Sequence, residues 1–127
     1  MQLKPKNPNA TVYVRSTLRQ LSKGDLFING HRDPGSVETG RDSQFALYMC
    51  VEPTPELLRG YQEKHRAADP CNFILAVNLR NGNMYAVGAR DTEQGLDTEC
   101  WRVDGEVRFA VRRWYTQEVA KGERRDS

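Results

Sequence analysis

Two groups of residues in this chain combine side chains that can do chemistry. The first is His31-Arg32-Asp33, with Arg41 further along the same polar stretch. A loop histidine beside an arginine and an aspartate has the makings of a general base with an anion clamp. Polar loops also produce such triplets by chance. The second group is Trp101, Arg108, Arg112, Arg113, Trp114 and Tyr115, which gathers guanidinium groups and aromatic rings near the end of the chain. Arginine with aromatics is the composition that stacks on bases or forms hot spots in protein interfaces. The plainer reading is an arginine stem lying over a half-buried tryptophan, with no ligand.

Other chemistries find little support. His65 stands between Lys64 and Arg66 and reads as a solvated surface residue. Neither histidine belongs to a His-x-His or His-Glu-x-x-His pattern, and there is no Cys-x-x-Cys. Cys50, Cys71 and Cys100 are too far apart in sequence to be closely spaced zinc ligands, so no metal is expected. The phosphate loop, the dinucleotide glycine fingerprint and the nucleophile elbow are absent, so no cofactor and no nucleophilic hydrolysis are expected. Each cysteine sits in an apolar run and reads as a small buried hydrophobe. Their odd number cannot close into a complete disulfide set, which fits a reducing cytoplasm.

Composition sets the outer limits. The chain has 127 residues, enough for one domain with a single core. Nineteen basic and 17 acidic residues leave a net charge of +2, which argues against a strongly electrostatic nucleic-acid binder. A local basic patch remains open. No apolar run approaches the roughly 18 residues that span a bilayer. The opening residues Met1 to Asn9 carry lysines and prolines but no apolar core, so no signal peptide and no membrane partner are expected.

These residues must be positioned by short strands. Thr11–Arg15 alternates, Ser16–Leu21 suits one capped helical turn, and Lys23-Gly24-Asp25 turns the chain into a strand at Leu26–Ile28. Asn29–Ser43 reads as a long polar loop, and such loops are often functional or disordered. Gln44–Val51 is the clearest period-2 segment, with Phe45, Leu47, Met49 and Val51 on one face. Thr54 then caps a helix with Pro55 at its first position, Leu57, Leu58 and Tyr61 as its apolar stripe, and Asp69-Pro70 as its end.

Two hairpin signatures follow. Phe73–Arg80 and Asn83–Val87 flank Asn81-Gly82, and Cys100–Val103 and Glu106–Val111 flank Asp104-Gly105. Both dipeptides suit a two-residue type I′ turn. Such a turn at Asp104-Gly105 places Trp101 opposite Arg108 on an exposed face, with Cys100, Val107, Phe109 and Val111 toward the core. The sum is a mainly β fold, a small curved antiparallel barrel of SH3-like or OB-like size with six to seven strands and one inserted helix. Residues 1–127 form one domain, with a flexible arm at 1–9, a long loop at 29–43 and a frayed tail at 117–127.

The segments Leu21-Ser22-Lys23-Gly24-Asp25-Leu26-Phe27 and Ala76-Val77-Asn78-Leu79-Arg80-Asn81-Gly82 resemble the turns of short phage and prophage accessory proteins. The resemblance implies a small, phage-encoded, host-directed protein acting in the host cytoplasm, and transfers no catalytic residue. The leading expectation is therefore a non-enzymatic binding protein. Its partner is expected to be a host protein, with nucleic acid second. The alternatives are a small-ligand site or enzyme built on the loop 29–43, and a subunit of a virion or other assembly.

Overall fold

The computed structural model describes residues 10–31, 34, 47–64, 73–88, 95–110 and 117–122. Among these residues, seven strands and one long α-helix make up the fold: β1 (Val12–Thr17), β2 (Leu26–Asn29), β3 (Leu47–Cys50), α1 (Pro55–Lys64), β4 (Ile74–Asn78), β5 (Met84–Val87), β6 (Glu99–Ala110) and β7 (Gln117–Gly122). All pairings are antiparallel, in the order β1-β6-β2-β3-β4-β5, with β7 added to β6. The mainly β class, the strand number and the inserted helix stand as expected.

The barrel does not. Among the described residues β1 and β5 are the two ends of an open path, and the sheet neither closes nor curls strongly. A small barrel turns one face of every strand inward. Here Leu26, Phe27 and Ile28 are all buried although they alternate between faces. One face gathers Leu26, Ile28, Leu47, Val103 and Val107; the other gathers Phe27, Cys50, Ala76 and Cys100 beneath Leu18. A run of consecutive apolar residues is the pattern of a strand covered on both sides, and such a sheet has no need to close on itself to make a core.

Local chemistry sets the element ends. Thr17 N–H donates to Gln20 Oε1 at 3.0 Å, starting a one-turn 3-10 helix at Leu18–Gln20 whose Leu18 packs on the second face. Ser22 N–H donates to the buried Asp25 carboxylate at 2.6 Å, and Gly24 takes a φ of 86°, which turns the chain into β2. Leu57 N–H donates to Thr54 Oγ1 at 3.2 Å, so Thr54 does cap α1, with Pro55 first in the helix. Leu58 and Tyr61 pack on Phe73 and Leu75. Leu57, expected in the same stripe, is 40% exposed.

The β4–β5 hairpin exists, but its turn is longer than two residues. Asn78 N–H donates to Asn83 O at 2.8 Å and Gly82 N–H to Asn78 O at 2.7 Å, so residues 79–82 form the loop. Leu79 still bonds to β3, its N–H donating to Leu47 O at 2.8 Å, and its side chain packs on the core of the first face. The glycine still supplies a positive φ, 74° at Gly82.

Asp104-Gly105 is no turn. β6 runs through it unbroken, with Asp104 opposite Val12 and Gly105 opposite Gly122. Gly105 has the expected positive φ of 86°, used where β6 exchanges β1 and β2 for β7. A left-handed glycine fits a strand irregularity as well as a hairpin turn, so the dipeptide alone does not choose. Two side chains decide: Asp104 is buried, and Arg102 beside it donates to its carboxylate from Nε at 3.0 Å and from Nη2 at 3.2 Å. The second half of β6 then pairs with β7, so Gln117–Gly122 is a strand rather than the start of a frayed tail. Val107 and Ala120 close over the first face.

Candidate functional site

β6 carries Trp101 between β1 and β2, opposite Arg15 on one side and Ile28 on the other. The Arg15 guanidinium lies 4.7 Å from the centre of the Trp101 ring, a cation–π distance. Its Nη1 donates to Gly30 O at 2.8 Å and its Nη2 to Glu99 Oε2 at 2.6 Å. Three contacts from three directions therefore hold one arginine in place. Gly30 permits this: a Cβ there would run into the Glu99 carbonyl.

A second ion pair ties the 3-10 turn at Leu18–Gln20 to the one at Gly95–Asp97, over the second face. Arg19 Nε stands 3.1 Å from Asp97 Oδ1, and both side chains are largely exposed. Arg15 and Glu99 are 40% and 67% exposed. The patch thus has a half-buried indole with the Arg15–Glu99 ion pair beside it. The Trp101 Nε1–H is buried with no hydrogen-bond partner among the described residues.

The expected arginine–tryptophan contact is therefore present with a different arginine. Trp101 and Arg108 lie on one strand, roughly 23 Å apart at about 3.3 Å per residue. Arg108 is opposite Val119. Arg112, Arg113, Trp114 and Tyr115 fall outside the described residues, as do Arg32, Asp33 and Arg41. His31 is exposed and follows Gly30, so the structure joins the start of the long loop to Trp101 through Arg15. Arg15 escaped sequence reasoning because its partner strand is 84 residues away, with no local turn to betray the pairing.

Cys50 and Cys100 are buried free thiols, as their apolar surroundings implied; Cys71 lies outside the described residues. Burial, with a smaller contribution from Cys100, pushes the Cys50 thiol up to about 12. Burial also raises Cys100, to about 11, against the opposing pull of Arg15 and Arg102. Since the thiolate is the reactive form, both are packing side chains at neutral pH.

An open depression of about 370 Å³ lies against α1, lined by Thr54, Glu56, Leu57, Gly60 and Tyr61. Those residues belong to the helix and its cap, not to the long loop. Among the described residues no three His, Cys, Asp or Glu side chains converge as metal ligands, and no helix is long and apolar enough to cross a membrane. Compared with family models, curated proteins and solved structures, the chain finds no match. The fold and site define a mainly β antiparallel protein with a preorganised arginine–tryptophan patch.

Proposed function

We propose that this is a non-enzymatic binding protein whose contact surface centres on Arg15, Trp101 and the loop start at Gly30-His31. The observation that carries the reading is the triple anchoring of the exposed Arg15 by Trp101, Glu99 and Gly30. A held arginine loses little side-chain freedom on contact, and a half-buried aromatic ringed by polar groups is the anatomy of an interface hot spot.

The partner in this reading is a protein. Glu99 answers the charge of Arg15, so the patch is charge-compensated and offers a phosphate backbone little counterion release. The turn resemblance to phage accessory proteins makes the partner a host protein in the bacterial cytoplasm.

Affinity capture from a bacterial lysate, with and without nuclease, tests the partner class. A protein retained after nuclease and lost with Arg15→Ala supports the reading. Capture that disappears with nuclease, or that ignores Arg15→Ala, contradicts it.

A further inference from the structure

We infer that the β4–β5 loop guards Asn81 against deamidation, making Asn81-Gly82 a modification site that reacts only when the loop opens. An asparagine followed by glycine is prone to this reaction because the glycine nitrogen meets no side-chain obstruction. The Gly82 backbone nitrogen attacks Asn81 Cγ, the new C–N bond closes a succinimide, the Cγ–Nδ2 bond breaks, and Nδ2 leaves as ammonia with the proton that the glycine nitrogen gives up. Water then opens the ring to aspartate or isoaspartate. Nothing beyond water is consumed.

Every atom that must move is held. The Gly82 N–H, which must be freed for attack, donates to Asn78 O at 2.7 Å. Asn81 Oδ1 accepts from Asn83 N–H at 2.8 Å, and Asn81 Nδ2 donates to Tyr85 Oη at 3.2 Å. The side-chain amide is thus tied at both ends while the nucleophile is engaged elsewhere. Asn78 is fixed in turn, since its Oδ1 accepts from Arg80 N–H at 2.9 Å and its own N–H closes the ladder to Asn83. Asn81 itself is exposed, so water reaches it and hydrogen bonding, rather than burial, supplies the protection.

Peptide mapping of Asn81 conversion in the full chain at mildly alkaline pH, native against urea-unfolded, tests this. Native conversion is expected to be at least about ten-fold slower, the opening of the loop setting the rate. Tyr85→Phe keeps the ring that packs edge-on against Tyr48 but removes the hydroxyl that holds Nδ2, and is expected to speed native conversion measurably. A native rate within ten-fold of the unfolded one overturns the proposal. So does a Tyr85→Phe rate equal to that of the unaltered chain, since protection would then not come from the bonds to Asn81.

Discussion

At the residue scale, two arginines do opposite jobs. Arg15 is exposed and held by an aromatic face, a carbonyl and a carboxylate. Its removal should cost little stability, about 0.5–1 kcal/mol for an exposed cation–π contact, while changing the Trp101 fluorescence. Chemical denaturation followed at the indole checks both. Arg102 is buried against Asp104, and a bidentate pair so placed is costly to halve. Arg102→Met or Asp104→Leu alone should each lose about 3–5 kcal/mol, because the remaining charge is stranded. The double variant should lose less than either, and a urea-unfolding cycle measures the difference. Sequence patterning alone does not separate these arginines: each is one of many in a charged chain, and it is the strands packed around them that leave one exposed and bury the other with Asp104.

At the element scale, the short-range signals were the reliable ones. The Thr54-Pro55 helix start, the Gly24 turn and the existence of the β4–β5 hairpin were legible because each rests on contacts within a few residues. The fate of Asp104-Gly105 was not, since a positive φ at Gly105 is common to a turn and to the strand that forms. What settles it is a buried ion pair and a strand, β7, contributed from the polar end of the chain. Gly122 on that strand abuts the Val103 carbonyl with no room for a Cβ. Gly122→Ala should therefore destabilise the fold by about 1–3 kcal/mol, seen as a lower thermal midpoint. Tyr61 of α1 donates to Met84 O at 3.0 Å and so covers part of the β5 end strand. The helix insertion thus blunts one open end of the sheet.

At the scale of the whole molecule, an open sheet whose central strands are buried on both faces replaces the expected barrel. The continuous apolar runs at Leu26–Ile28 and Phe73–Val77 carried that information, while the single clean alternation at β3 suggested one-sided burial. Burial of two thiols has a pH consequence. Cys50 and Cys100 stay protonated in the fold up to about 12 and about 11, whereas the unfolded chain ionises them near 9. The stability these two thiols contribute is therefore full below about pH 9 and is lost as the pH rises toward about 11 to 12, and the urea midpoint should fall with it. Replacing both cysteines with alanine should flatten that decline. β6 passes unbroken through Asp104-Gly105 and so delivers Trp101 to Arg15 and the loop start. Nuclear Overhauser contacts from the Trp101 indole test it most directly. Contacts to Arg15 and Ile28, with Gly105 facing Gly122, are the expected result; contacts from Trp101 to Arg108 would instead mean that β6 turns back at Asp104-Gly105.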